Sequence, residues 1–145
     1  MICDCAISDW EQSWKPSSQR QPPNGGWDWV AIKDRYRNRS KRFDVAFYSE
    51  SELVGLLMGR ISRGSEVLRL DYLESSPLPS SPVKKVFIDV AIYTAMFMAK
   101  EIEDVQYVSI MNPVNSTVSG LYYGMGFSND KPYRQCMPNT LYKLK

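Results

Sequence analysis

The chain contains no histidine. That absence removes histidine-based triads, histidine general bases and histidine metal sites from consideration. Cysteine is scarce: Cys3, Cys5 and Cys136 are an odd set with two members beside the N-terminus, which is no disulfide framework and points to a reducing cytoplasm. With one further cysteine and no histidine, Cys3 and Cys5 are not expected to hold a metal. Charge of one sign is missing too. Eighteen basic residues stand against sixteen acidic ones, so whole-molecule charge predicts no partner. There is no basic region followed by an apolar run at the N-terminus, so no signal peptide is expected. The longest apolar stretch, 86–99, is too short for a bilayer and carries Asp89, so no membrane is expected either. Glycine is absent from Ser65 through Ser119.

What is present is an ordinary soluble composition, 43% hydrophobic and 23% charged, over 145 residues. We expect one domain over 1–145, with a helical part over 1–41 and a sheet-bearing core over 42–145. Trp10 and Trp14, four apart, suit a short amphipathic helix, and 15–26 is a turn-rich loop. A second helix runs over 27 to 39 with Trp29, Ile32 and Tyr36 on one face. Three strands follow at 42–49, 52–62 and 66–74, an antiparallel meander. In the third, Leu68, Leu70 and Tyr72 alternate with Arg69 and Asp71, which places Asp71 and Glu74 on opposite faces. Pro82 starts a helix to 101 that is apolar nearly all round and should lie between the sheet and other elements. A strand at 105–111, a helix from 112 to a glycine stop at 124–126 and a last strand at 140–145 complete the chain. The order of elements means α/β (α+β) in one domain.

The stretch NPVNSTVSGLYYGMGF (112–127) holds the chemistry. Asn115 and Tyr122 are seven apart and share a helix face. Tyr122, at the helix end, aims its hydroxyl into a cleft or packs its ring. Protonated at neutral pH, it can give a proton or a hydrogen bond. Tyr123 points elsewhere and reads as packing. Asn112 reads as an N-cap, and Asn115 as either a cap or a ligand group.

Asn115, Val118, Leu121, Tyr122, Gly126 and Phe127 together resemble the Asn-x-x-Ala-x-x-(Leu/Phe)-Tyr-x-x-x-Gly-Phe signature of the GNAT superfamily of acyl-coenzyme A-dependent N-acetyltransferases, with Val118 in the usual alanine position. The element order from residue 42 onward fits as well. The resemblance implies a central twisted, mostly antiparallel sheet with splayed middle strands flanked by helices, and acyl-coenzyme A held in the gap. It implies direct acetyl transfer from acetyl-coenzyme A to a primary amine, with Tyr122 as general acid. The cofactor would meet the backbone at Leu73 and the helix start at Val83, Lys84 and Lys85, with Asn115 and Tyr122 beside it. The family's glycine-rich phosphate loop is replaced here by Ser80, Ser81, Pro82, Val83, Lys84 and Lys85. Helix N-terminal N–H groups bind anions without glycine, and two lysines add charge.

Asp71 and Glu74 are the candidates for the base that takes the amine proton, directly or through water. Cations crowd 33–42: Lys33, Arg35, Arg37, Arg39, Lys41 and Arg42. They read as a solvated face, or as a footprint for a nucleic acid such as transfer RNA or for an acidic protein. The acceptor is an amine on a small molecule or protein, and the chain is a monomer or homodimer. A non-catalytic binding module of the same fold and an acetyltransferase acting on aminoacyl-transfer RNA are the alternatives.

Overall fold

The computed structural model describes residues 1–20, 26–78, 86–111, 113, 116–129 and 140–145. The N-terminal segment begins with α1 (Asp4–Asp9) and continues into a π-helical turn at Trp10–Trp14, which buries both tryptophans. Cys3 caps α1, its Sγ accepting from the Ala6 N–H. It is also bonded to Cys5, with Cα atoms 5.2 Å apart, so the first two cysteines form a local bridge where none was expected. Helix α2 (Trp29–Tyr36) is capped by Asp28 and buries Trp29, Ile32 and Tyr36 one turn apart, as its spacing predicts.

Five strands form one sheet in the order β1 (Arg42–Ser49), β2 (Glu52–Ile61), β3 (Val67–Ser75), β4 (Tyr107–Met111) and β5 (Thr140–Leu144). Three pairings are antiparallel, and β3–β4 is parallel. One face carries Leu57, Leu68, Leu70, Val108 and Ile110 under α3 (Phe87–Glu101) and α4 (Ser116–Gly124). The other carries Leu53, Leu56 and Met58 under the tryptophan-rich N-terminal helices. The sheet thus lies between two apolar layers, an α+β architecture.

Helix α3 corrects one expectation. Ala91, Ile92, Ala95 and Ala99 are buried on the sheet, but Val90, Tyr93 and Phe97 are exposed. The helix packs on one side only, so its apolar residues are not enclosed all round. Its expected first turn, from Pro82, lies outside the described residues.

Strand β3 corrects another. Met58 pairs with Tyr72 and the next residue, Gly59, pairs with Leu70, so Asp71 is an extra residue in the ladder, a β-bulge. Gly59 permits the close approach: a Cβ there would stand 2.0 Å from the Arg69 carbonyl oxygen. The bulge resets the alternation. Leu68 and Leu70 face α3, whereas Tyr72 packs with the N-terminal helices. Asp71 and Glu74 both reach partners from the N-terminal helical side, so they share a face instead of opposing each other.

Candidate active site

Strands β3 and β4 pair only from Val67 to Leu70 and from Tyr107 to Ile110. Beyond Leu70 no described strand continues the pairing on that edge of β3. The Ser76 N–H donates to the Val54 carbonyl, which fixes the phase of the β2–β3 ladder. By its alternation Tyr72 and Glu74 turn their backbone groups to β2, while Leu73 and Ser75 turn theirs into the gap. The result is a wedge whose one wall is an open backbone edge.

A cleft of about 140 Å³ occupies this wedge. Leu73, Phe87, Ile88, Ile110, Val118 and Tyr122 give it apolar walls, and Asp71, Glu74 and Trp27 close its other side. Trp27, Phe87 and Met111, which also lines it, carry no signal in the sequence that would mark them as site residues.

Tyr122 is 4% exposed. Burial pushes its hydroxyl up to about 12, because the phenolate would lose solvation. The group therefore holds its proton throughout the neutral range. Local geometry explains the position. The Phe127 N–H donates to the Tyr122 carbonyl and the Gly126 N–H to the Tyr123 carbonyl. With Gly126 at φ +91°, this is a Schellman stop. The contact across the stop is edge-to-face between Tyr122 and Phe127, with centroids 6.0 Å apart. The Tyr-x-x-x-Gly-Phe pattern is thus a helix terminus that anchors one tyrosine ring in the core. Tyr123, expected to pack, is half exposed instead, because it lies on the outer side of α4.

Glu74 is 2% exposed and fully engaged. Its Oε2 accepts from Arg20 Nε at 2.7 Å, and its Oε1 accepts from Arg20 Nη2 at 2.7 Å, Trp29 Nε1 at 2.9 Å and the Trp27 N–H at 3.3 Å. This bidentate ion pair joins the N-terminal part to β3. A carboxylate so saturated has no lone pair turned to an incoming amine. Asp71 is placed differently. Its Oδ2 accepts from the Tyr36 hydroxyl at 2.5 Å and lies 3.9 Å from Arg60 Nε, and its Oδ1 accepts from Arg69 Nη2 at 3.2 Å. Burial and the Asp71 carboxylate together raise the Tyr36 hydroxyl far above its ordinary value. Asp71 lines the cleft and also a second groove behind it, together with Arg39, Arg60 and Arg69.

The structure brings Tyr122, Asp71, Leu73 and Glu74 to one cleft. Val83, Lys84, Lys85, Asn112 and Asn115 lie outside the described residues. The basic run 33–42 is largely spent locally: Lys33 pairs with Asp4, Arg37 with Asp34 and Arg42 with Asp44. Arg35 donates to the Tyr72 hydroxyl and Lys41 to Ser65 Oγ. Arg39 stacks over Tyr36 and remains on the groove. Among the described residues no helix is long and apolar enough to cross a membrane, and no cluster of three metal-ligating side chains occurs.

No family model matches this sequence, and no curated protein matches it significantly. Solved structures do. The PaiA N-acetyltransferase of Thermoplasma acidophilum, determined in complex with coenzyme A, aligns with TM-score 0.54 at 16% identity, over 81% of this chain and 69% of that one. The ribosomal-protein-S18-alanine N-acetyltransferase of Escherichia coli aligns with TM-score 0.59 at 8% identity, over 95% and 85%. Mutant forms of the spermidine/spermine N-acetyltransferase SpeG of Vibrio cholerae align with TM-score 0.55 at 13% identity, over 84% and 78%. Five strands in this order, the parting of β3 from β4 and these superpositions agree: the chain has the fold of the GNAT-type N-acetyltransferases.

Proposed function

We propose that this protein is an N-acetyltransferase that moves an acetyl group from acetyl-coenzyme A directly to a primary amine. The observation that carries the proposal is the wedge beyond Leu70 and Ile110, with an open backbone edge on one wall and a buried, proton-retaining tyrosine on another. An amide-bearing, unbranched arm fits such a site. Leu73 and Ser75 offer backbone donors and acceptors to its amides, and Phe87, Ile88, Ile110 and Val118 cover its methylenes. Lys84 and Lys85 supply positive charge to the pyrophosphate, and Val83 and Asn115 belong to the same cofactor-binding set that the family resemblance implies.

In the transfer the amine nitrogen attacks the thioester carbon, a C–N bond forms and the C–S bond breaks. The Tyr122 hydroxyl donates its proton to the departing sulfur, which leaves as a thiol. With a hydroxyl whose pKa lies near 12, the phenolate regains a proton from solvent at neutral pH. The proton lost by the amine goes to Asp71, directly or through water. Glu74 takes no proton in this scheme; its ion pair with Arg20 holds Trp27 at the cleft and anchors Trp29 in the core of the N-terminal layer.

The test is calorimetry with acetyl-coenzyme A on the wild type and on Lys84→Ala/Lys85→Ala, followed by thiol release over an amine panel. Binding that weakens in the variant, and release that falls ~100-fold or more in Tyr122→Phe with binding retained, is the expected outcome. Absence of binding at millimolar acetyl-coenzyme A would leave the chain as a binding module of this fold.

A further inference from the structure

The groove that opens behind Asp71 shares Trp27, Asp71 and Met111 with the cleft, so it is the side from which an acceptor reaches the reacting centre. Its charge is unbalanced. Among the described residues, Arg39, Arg60 and Arg69 line it with Asp71 as the one carboxylate. It continues past the same three arginines to Lys41 and Arg63, where no described acidic side chain lines the surface. Cations packed this closely repel one another unless an anion sits among them. The Nε atoms of Arg60 and Arg69 are buried without a hydrogen-bond acceptor among the described residues, so their donor capacity is not spent on the protein. Guanidinium forks match the planar oxygens of carboxylate and the oxygens of phosphate.

Spacing narrows the ligand further. Arg69 Nη2 is 3.2 Å from Asp71 Oδ1, and Arg60 Nε is 3.9 Å from Asp71 Oδ2. Carboxylate and guanidinium are neighbours, so a complementary ligand carries its amine and its anion a few ångströms apart. Resting on the acetyl-transfer reading above, we propose that the acceptor is a compact zwitterion: a primary amine with a carboxylate or phosphate a few bonds away, as in an amino acid. The amine faces Asp71 and the wedge, and the anion is gripped by Arg60 and Arg69 with Arg39 behind them. Polyamines and other polycations are repelled from the same groove.

The experiment compares β-alanine and phosphoethanolamine with β-alaninamide and putrescine, at saturating acetyl-coenzyme A, in the wild type, Arg60→Gln and Arg69→Gln. Circular dichroism confirms that each variant is folded, and Arg60→Lys tests whether charge alone suffices. We expect kcat/KM to favour the zwitterions over β-alaninamide by ~10-fold or more, consistent with the worth of one charge-assisted hydrogen bond. The preference falls below about threefold in either glutamine variant, through KM. The two zwitterions separate a carboxylate site from a phosphate site. Preference for putrescine or β-alaninamide, a preference unchanged in both variants, or acetylation confined to peptides or RNA overturns the inference. Calorimetry with β-alanine and phosphoethanolamine alone provides a readout independent of acetyl transfer. If zwitterions bind the wild type and not Arg60→Gln/Arg69→Gln while no acetyl moves, the transfer reading fails and the site stands. If neither zwitterion binds, the site falls whatever the enzyme does with other amines.

Discussion

Tyr122 joins a structural role and the proposed acid role in one side chain. Its ring closes a helix stop against Phe127, the residue lines the cleft, and its hydroxyl keeps a proton it does not readily lose. The same burial has a consequence for stability. The folded hydroxyl titrates near 12, against about 10 in the unfolded chain, so its contribution is complete below pH 10 and is lost as pH rises from 10 toward 12. That difference corresponds to roughly 3 kcal/mol. Tyr36 is shifted in the same direction and adds to the alkaline loss. Urea midpoints of the wild type and Tyr122→Phe, compared at pH 9 and pH 11.5, should show the wild type losing more of its stability over that interval. Equal losses would mean that the Tyr122 hydroxyl is solvated. The acid role gives a matching expectation: transfer by the wild type shows no decline from ionisation of Tyr122 below about pH 10.

Among the elements, the α4 stop is the one most exposed to a single change. Gly126 sits at φ +91°, and a methyl group on its Cα would stand 3.5 Å from the nearest atoms of Lys143, so space is adequate and backbone strain is the cost. Gly126→Ala should destabilise the protein by about 1–2 kcal/mol. It should also lower acetyl transfer beyond what stability explains, since the stop fixes where Tyr122 points; thermal melts paired with thiol release check both. This part of the fold was legible because Gly126 and Phe127 follow Tyr122 at the spacing a Schellman stop requires. The strands were legible as well, from their period. The bulge was not. Alternating Leu68, Leu70 and Tyr72 reads as a regular strand, and only pairing with β2 shows that Asp71 has no partner of its own. The outward face of α3 was also misread, since apolar composition records which residues avoid water, not how many neighbours the topology supplies.

For the molecule as a whole, the Arg20–Glu74 pair is a buried ionic tie between the N-terminal segment and the sheet, beside the apolar layer that joins them. Both side chains are nearly inaccessible, at 7% and 1%. Sequence alone placed Arg20 in a loop and Glu74 on a strand 54 positions away, with nothing to join them. Glu74→Gln leaves the Arg20 charge buried without a counter-ion and should cost ~3–5 kcal/mol in chemical denaturation. Arg20→Met/Glu74→Gln, which buries no charge at that place, should recover a substantial share. Equal stability of the two variants would show that the pair's hydrogen bonds to Trp27 and Trp29, and not its charges, hold the layers together.

The bulge in β3 leads to a last consequence. Leu70 and Tyr72 already face opposite sides of the sheet, opposite Gly59 and Met58, which are consecutive. A chain from which Asp71 had been deleted would therefore run as an unbroken ladder, with every remaining side chain on the face it now occupies. Asp71 is supernumerary to the ladder, whereas removal of a β3 residue away from the bulge would turn part of the strand inside out. The deletion protein should fold, pair its sheet and fail to acetylate.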